Sequence, residues 1–376
     1  MKRVSVVAAV AAALLVTTGL TACSGNGASS DPKTLDVYAN GDVNIQDLWQ
    51  NTLIPGFEKA NPGTKVSLQF DLHDANSQQV LAKLAAATKQ KKDPGLDLVE
   101  GMAQQAGDAG LLADPATAVP NLAQVDAKVV ASGGKDAIPY RGSSVLLAYN
   151  STKISSPPKT LEELLAWIKA NPGKFTYNSP DTGGSGGAFV ATVLDKYVPT
   201  ADRAEMTTGY HQDLEKDWDP GWQTLKGLNP YVFQKGVYPN GNQGVLDLLS
   251  SGQIEMAPVW SDQFITGQKT GSIPAEVKVA QITDPSFTGG ATEIGVTSAS
   301  KKQALAFAFA NWILEPTQQA AIADKIAGYP AISLDKMTPA VKSQFKNAQP
   351  DNLRPGYNSD HGNDINAQWA EKVPGN

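Results

Sequence analysis

Apolar and polar positions in the first hundred residues follow two periods, one typical of strands and one of helices. Residues 35–39 and 65–72 have strand patterns, and residues 96–100 form a third short strand. Between them, residues 45–57 and 78–89 carry apolar side chains at the spacing of one helix face. This order of strand, helix, strand, helix and strand predicts a mainly parallel sheet covered by helices.

The alternation restarts near residue 143, which predicts a second unit of α/β structure. Residues 143–150 form an apolar strand, and Thr160 with Glu163 predicts a capping box at the start of a helix over 161–170. The remaining predicted elements are a strand over 175–177, a glycine-rich loop over 182–187, helices over 188–197 and 243–249, strands over 254–260, 277–282 and 293–297, and helices over 301–314 and 317–326. The pattern therefore predicts two α/β lobes.

Residues 1–22 have the pattern of a secretory signal. Lys2 and Arg3 precede an apolar run of about 13 residues, which is too short for a bilayer span of about 20. The segment ends in Leu-Thr-Ala-Cys and resembles a bacterial lipobox, so Cys23 is predicted to receive lipid. An ordinary signal peptide followed by a chance cysteine is the alternative. Residues 23–32 are predicted to be a flexible tether, which places the protein outside the cytoplasm on a lipid anchor.

Charge and composition narrow the classes of function. The chain has 31 Lys and Arg against 37 Asp and Glu, a net charge of −6, which argues against a nucleic-acid binder. A single cysteine excludes a disulfide framework and a cysteine-based zinc site. The three histidines, at positions 73, 211 and 361, are too far apart to suggest a metal site. We expect neither metal nor cofactor.

Five stretches, in this order, carry a family resemblance. They are the lipobox, the strand 145–150 that ends in Tyr-Asn, residues 158–177, residues 249–260 with the sequence LSSGQIEMAPVW, and residues 304–323 with ANWILEPTQQ. The order resembles the extracellular solute-binding proteins of bacterial ABC importers, of the two-lobed type with two hinge crossings. Residues 172–177, 183–190 and 228–230 are most similar to an enterobacterial branch of that family.

The resemblance implies an α/β fold of the two-lobed, periplasmic-binding-protein-like type II, with the ligand cleft between lobes that close by a hinge. It implies a first lobe of residues 33–143 plus 278–315 and a second lobe of residues 144–277 plus 316–376. The chain lacks the Tyr-Tyr pair typical of the iron-binding branch, so ferric iron is a less favoured ligand.

Open α/β sheets place ligands beyond the carboxyl ends of their strands, and this rule selects most of the candidate ligand-binding residues. Glu293 is a candidate because it precedes the strand that would return to the first lobe. Tyr329 is added because the resemblance implies a cleft residue at that position. The candidates are Asn40, Gly41 and Asp42 after the first strand, Gln104 after the third strand, Asp181, Gly184 and Ser185 in the glycine-rich loop, Trp260 and Asp262 after a second-lobe strand, Glu293, and Tyr329.

Several of these residues have a purely structural alternative. Asp42 or Asn44 can serve as a helix N-cap, and Trp260 can belong to the core while Asp262 caps the next helix. Gln104 and Glu293 can simply face solvent. The acidic residues favour a cationic or polyhydroxylated ligand, whereas the glycine-rich loop before a helix favours an anion.

Residues 183–187 match the Gly-x-Ser-x-Gly pattern of a hydrolase nucleophile elbow. The elbow requires its serine directly at the end of a strand, and here residues 180–182 intervene. We therefore expect no catalytic residue and no enzyme activity. A secreted glycan-active hydrolase remains an alternative, as does a ligand-sensing lipoprotein with a membrane sensor.

The sequence thus predicts a monomeric substrate-binding lipoprotein that delivers its ligand to an ABC permease. The predicted solute is small and polar: a sugar, a polyol, a polyamine or a thiamine-like molecule. Nucleic acid is not an expected partner, and contact with the membrane is expected only through the lipid anchor.

Overall fold

The computed structural model describes residues 31–72, 76–125, 129–130, 133–345 and 354–375. The predicted signal, the lipidation site at Cys23 and most of the predicted tether lie outside these residues. Within the described part of the chain, no helix combines the length and apolar character needed to cross a bilayer.

Strands and helices alternate along the chain much as predicted. The strands are β1 (Thr34–Gly41), β2 (Lys65–Leu72), β3 (Leu98–Glu100), β4 (Ile138–Asn150), β5 (Met256–Trp260), β6 (Val277–Ala280), β7 (Gly289–Val296) and β8 (Tyr329–Pro330). The α-helices are α1 (Val43–Leu48), α2 (Ile54–Ala60), α3 (Ser77–Gln90), α4 (Ala103–Asp108), α5 (Leu161–Ala170), α6 (Gly184–Asp195), α7 (Thr200–Thr208), α8 (Asp219–Gly227), α9 (Gly241–Ser250), α10 (Ser261–Thr270), α11 (Gln303–Ile313), α12 (Pro316–Ile326), α13 (Pro339–Gln344) and α14 (Ser359–Lys372).

Shorter helical segments complete the structure. A π-helical turn, Trp49–Leu53, joins α1 to α2. The 3₁₀ segments are Pro120–Gln124, Pro180–Thr182, Gln212–Trp218, Phe233–Lys235 and Leu334–Lys336. The predicted strand over 175–177 is reduced to one bridge between Phe175 and Met256.

The sheet runs in the order β2-β1-β3-β7-β4-β5, and β6 and β8 also pair with β4. β1 is parallel to both β2 and β3, as the strand and helix order predicted. β7 is antiparallel to β3 and to β4, and β5, β6 and β8 are antiparallel to β4, so the predicted parallel arrangement is confined to β1, β2 and β3 among the described strands. Along β1, Val37 faces one apolar cluster and Tyr38 faces another, so helices cover both faces of the sheet.

β4 belongs to both halves of the molecule. Its residues 138–144 pair with β7, whereas residues 145–150 pair with β5 and β6. The largest apolar clusters lie on either side of this division. The first core is built from β1, α1, α2, α11, α12 and α13. The second core is built from α5, α6, α7, α8 and α14.

The limits of these cores differ from the predicted lobe limits of 278–315 and 316–376. β6 starts at residue 277 and pairs with the second half of β4. α12 and α13 bury Ile322, Ile326 and Val341 in the first core, whereas α14 packs in the second. The physical reason is the two-residue connection between α11 and α12, which keeps these helices adjacent.

The predicted cap of α5 forms at Thr160. Its Oγ1 accepts a hydrogen bond from the Glu163 N–H at 3.2 Å, and Glu163 Oε2 accepts from the Lys159 N–H at 2.7 Å. The Thr160→Ala variant is therefore expected to lose about 1 kcal/mol of unfolding free energy in urea titrations. Thr160→Ser keeps the hydroxyl acceptor, so its free energy of unfolding should stay close to that of the parent. Equal stability of the parent and the alanine variant would contradict this role for the cap.

Candidate functional site

The two halves of the molecule meet along a surface, here called the seam, that includes Asp42, Asn44, Ser143, Asn242, Asp262 and Gln263. Asp42 follows β1 and precedes α1. Asn242 Nδ2, in the first turn of α9, donates to Asp42 Oδ2 at 2.9 Å. Gln263 Nε2, in the first turn of α10, donates to the same oxygen at 2.7 Å. The Asp42 side chain makes no capping hydrogen bond to α1. The Asp42 carboxylate thus contacts the opposite half of the molecule instead of capping its own helix.

A second contact across this seam involves Asp262, which is 5% exposed. Asn44 Nδ2, on α1, lies 3.4 Å from Asp262 Oδ2. Ser143 Oγ, on β4, donates to Asp262 Oδ1 at 2.7 Å. Asp262 is therefore placed between α1 and the point where β4 passes from one half to the other.

The first turn of α6 joins the seam through two asparagines; the helix begins at Gly184, so most of the predicted glycine-rich loop over 182–187 is helical. Ser185 Oγ lies 2.8 Å from Asn242 Oδ1 and 2.9 Å from Asn178 Oδ1, and the Gly186 N–H donates to Asn178 Oδ1 at 2.9 Å. Asn242 thus bonds Asp42 with its amide nitrogen and Ser185 with its oxygen. Ser185 is fully buried and its hydroxyl contacts amide oxygens, which is not the arrangement of an activated nucleophile.

Trp260 lies beside the start of α6 and is half-buried at the end of β5. A Cβ atom added at Gly184 would lie 2.8 Å from Trp260 Cζ2. The absence of a side chain at Gly184 therefore allows the indole ring to approach the start of α6. Trp260 also packs against the second core, so the core alternative considered from the sequence describes part of its environment.

Arg141 and Glu100 form a buried ion pair next to the seam, with Arg141 Nη2 3.3 Å from Glu100 Oε1. Tyr140 Oη donates to Glu100 Oε1 at 2.8 Å. Burial raises the pKa of Glu100, although Arg141 and Tyr140 oppose this effect. Burial lowers the pKa of Arg141, but neighbouring Tyr140, Glu100 and Asp262 raise it to a net value above its usual range. Glu100 is therefore already paired within the protein.

Glu293, on β7, lies near the same ion pair. Burial raises the pKa of Glu293 to about 8, and Arg141 opposes this shift while Glu100 adds to it. Burial therefore favours the protonated form of the Glu293 carboxyl group. A Cβ atom added at Gly133 would lie 3.1 Å from Glu293 Oε1, so the carboxyl group packs against the backbone at Gly133.

The other predicted residues do not take part in the hydrogen bonds across the seam that are described above. Asp181 is exposed and accepts a hydrogen bond from Ser179. Gln104 lies within α4 and packs against Gly134. Tyr329, on β8, stacks edge-to-face on Phe345 with ring centroids 4.9 Å apart.

Asn40 and Gly41 lie at the end of β1, directly before the seam. The Asn40 N–H donates to Glu100 Oε2 at 3.1 Å, so its backbone holds the buried carboxylate. Gly41 has a φ of 137°, a conformation that favours glycine and turns the chain into Asp42.

Sequence reasoning missed several side chains of the seam. They are Asn44, Ser143, Asn178, Asn242 and Gln263. Asn44, Asn242 and Gln263 lie in the first turn of a helix. Extending the strand-end rule into the first helical turn would have included Asn44 after β1 and Gln263 after β5, but not Asn242, because α9 follows a 3₁₀ segment and no strand. Among the described residues, no three His, Cys, Asp or Glu side chains are arranged to hold a metal ion.

Comparison with known proteins identifies a family pattern in this chain. The pattern of the family described as "Bacterial extracellular solute-binding protein" matches residues 52–349. Protein YnjB of Escherichia coli (strain K12) is 25% identical over 246 residues, which are 62% of this chain and 61% of that protein. The chain therefore spans about 61% of the length of this curated relative.

Solved structures with similar folds include a protein from Bordetella parapertussis described as an extracellular solute-binding protein. It is 19% identical, has a TM-score of 0.68, and the match covers 91% of this chain and 99% of that one. An ABC transporter protein from Clostridium perfringens ATCC 13124 is 18% identical with a TM-score of 0.65, covering 90% and 98% of the two chains. The shared fold is the periplasmic-binding-protein-like fold of type II.

Proposed function

Because this chain belongs to the family of bacterial extracellular solute-binding proteins, we propose that it captures a small polar solute between its two lobes and delivers it to a membrane permease of an ABC importer. The permease, the lipid anchor at Cys23 and the monomeric state are parts of this proposal. The family acts outside the cytoplasm, and the proposed lipid would keep the receptor beside the permease.

The observation that carries the proposal is the pair of hydrogen bonds that the side-chain amides of Asn242 and Gln263 donate to the Asp42 carboxylate. Asp42 precedes α1 on one side of the seam, and Asn242 and Gln263 lie in α9 and α10 on the other. Contacts of this kind exist only when the lobes are closed, so a ligand that adds further contacts across the seam shifts the population toward the closed state. Capture by closure requires no bond making or breaking by the protein.

Side chains at the seam suit a small polar solute. Trp260 offers an aromatic face beside the start of α6, where a sugar ring or an organic cation can stack. Asp262 supplies a carboxylate that accepts hydrogen bonds from hydroxyl or amino groups. A sugar, a polyol, a polyamine and a thiamine-like molecule all share these requirements.

A thermal-shift screen of the chain from residue 24 against these four solute classes tests the proposal. A ligand at about 100 times its Kd should add about 2.7 kcal/mol to the free energy of unfolding, seen as a rise in Tm. Trp260→Ala should abolish this rise because it removes the aromatic face. Trp167→Ala removes another half-buried tryptophan, which lies on α5 away from the seam, and should retain it. A ligand shift that survives Trp260→Ala would contradict the proposed position.

A further inference from the structure

Six exposed lysines lie at one end of the first lobe, where β1, β2 and β3 begin. β1 is parallel to β2 and to β3, so the starts of all three strands lie together. β7 is antiparallel to β3, so its last residue and the turn into α11 also reach this end, here called the basic end. Its exposed lysines are Lys33, Lys59, Lys89, Lys91, Lys92 and Lys301.

Backbone hydrogen bonds join the segments of the basic end. The Lys65 N–H donates to the Lys33 oxygen at 2.9 Å, which holds the starts of β1 and β2 together. The Asp97 N–H donates to the Asp36 oxygen at 2.7 Å, and the Thr297 N–H donates to the Asp97 oxygen at 3.0 Å. The six lysines therefore belong to one continuous surface of the lobe.

The basic end is positive in a chain that is negative overall. Its segments contain eight lysines and six carboxylates, a net charge of +2, whereas the net charge of the whole chain is −6. These segments are residues 31–36, 58–65, 89–97, 111–114 and 297–302. Three of the carboxylates are paired within the protein, Glu58 with Lys65, and Asp36 and Asp97 with Lys302. In the described part of the chain, none of the six exposed lysines forms a salt bridge, so their charge is available to an anionic partner.

The predicted tether joins the protein at the same end. Asp31, the first described residue, lies three residues before β1. Cys23, the proposed lipidation site, is eight residues earlier, and a chain of eight residues spans at most about 28 Å. A lipid on Cys23 therefore keeps the basic end close to the bilayer. The opposite end of β1 leads to Asp42 at the seam, so the cleft lies on the side away from the tether.

We propose that the basic end binds anionic lipid headgroups, in addition to the lipid anchor, and orients the receptor with its cleft away from the bilayer. The inference rests on the anchor at Cys23 that is part of the proposed function. Attraction between ammonium groups and headgroups acts over about 8 Å at physiological ionic strength, so it requires the proximity that the anchor supplies. Ammonium groups spread over several segments suit a charged surface better than one small anion, which needs donors that converge.

Lysine acylation of the tethered protein tests the inference. Cys23 is the only cysteine, so the chain from residue 23 can be coupled through its thiol to a maleimide lipid in vesicles. The vesicles contain phosphatidylcholine alone or with about 30% phosphatidylglycerol. Limiting acetyl N-hydroxysuccinimide ester is added, and mass spectrometry gives the acylation rate at each lysine. Lys89, Lys91 and Lys92 should react about threefold or more slowly on the anionic vesicles than on the neutral ones, and about 0.5 M NaCl should remove the difference.

Exposed lysines of the second lobe provide the internal control. Lys153, Lys216 and Lys226 should react at the same rate on both kinds of vesicle. Equal rates on both vesicles at the basic end would overturn the inference. So would equal slowing at the basic end and at the three control lysines, because the protein would then have no preferred orientation.

A triple variant tests whether the lysine charges cause the orientation. Lys89→Gln/Lys91→Gln/Lys92→Gln removes three positive charges from the basic end and should abolish the slowing at Lys33 and Lys301. The matched triple variant replaces Lys153, Lys216 and Lys226 by glutamine and should retain that slowing. Circular dichroism and Tm establish that each variant is folded. Slowing at Lys33 and Lys301 that persists in the first triple variant contradicts the inference.

Two further features of the experiment separate the possible causes of failure. Polyglutamate in solution replaces the vesicles in a parallel reaction, and slowing by polyglutamate without slowing by anionic vesicles would assign an acidic polymer and overturn the inference. The maleimide lipid supplies the anchor and no solute is added, so the outcome depends neither on lipidation in cells nor on solute capture. Failure here leaves the receptor function standing, and a silent solute screen leaves this result unchanged.

Discussion

Replacing Arg141 by methionine is expected to destabilise the protein by about 3–5 kcal/mol, because it leaves the fully buried Glu100 carboxylate without its cation. Methionine retains much of the apolar stem of the arginine, so the loss reports mainly on charge. Denaturant unfolding of parent and variant at pH 7 measures it. Lys301→Met removes a cation from an exposed position and should stay within about 0.5 kcal/mol of the parent.

The loss of unfolding free energy caused by Arg141→Met should be larger at high pH than at low pH. Burial already raises the pKa of Glu100 above its unfolded value, and loss of Arg141 raises it further. A carboxyl group with a raised folded pKa favours the folded state at low pH, and this contribution is lost as the pH rises through that pKa. The variant should therefore be closer to the parent at pH 5 than at pH 8.

The double variant Arg141→Met/Glu100→Gln provides the control for this interpretation. It removes both charges, so part of the lost stability should return and the extra pH dependence should disappear. A deficit below about 1 kcal/mol in the single variant would show that the ion pair does not support the fold. A double variant no more stable than the single one would show that the uncompensated carboxylate is not the cause.

Gly186→Ala is expected to lower stability by about 2–3 kcal/mol and to abolish solute binding. A Cβ atom at this position would lie 1.9 Å from the backbone oxygen of Asn178, which cannot give way as a flexible side chain can. The start of α6 would have to move, and with it the Ser185 contact to Asn242 at the seam. Unfolding free energy and solute titration measure the two effects.

Gly187→Ala is the matched control, one residue further along the same helix. Its nearest neighbour, the backbone oxygen of Pro180, would lie 3.9 Å from the new Cβ atom, which is ordinary contact. Alanine should therefore be tolerated, and the free energy of unfolding should rise by no more than about 1 kcal/mol. If the two variants behave alike, close approach of Asn178 is not the reason for glycine at position 186.

The elements of the fold could be predicted because burial sets their periodicity. β1 buries both of its faces, and the helix that begins at Val43 presents Ile45 and Leu48 to the first core. These patterns are local and visible in the sequence. The allocation of α12 to the first core was not visible, since an amphipathic helix carries no sign of which of two similar cores it covers.

The site could be predicted in part for a related reason. The rule about strand ends selects Asp42 after β1 and Asp262 after β5, and the structure places both at the seam. It does not select Asn242 or Gln263, whose partner in each case is Asp42 from the other lobe. Such a contact depends on how the two lobes approach each other, and sequence periodicity contains no information about that distance.

The order in which the cores are completed has a consequence for synthesis. The first core begins with β1 but requires α11, α12 and α13, whereas the second core requires α14, the last helix described. A chain made from its N-terminus therefore exposes apolar surface in both halves until its final third has emerged. A premature stop before Ser359 would leave Ile365 and Trp369 missing from the second core, and a stop before Gln303 would also remove α11, α12 and α13 from the first core.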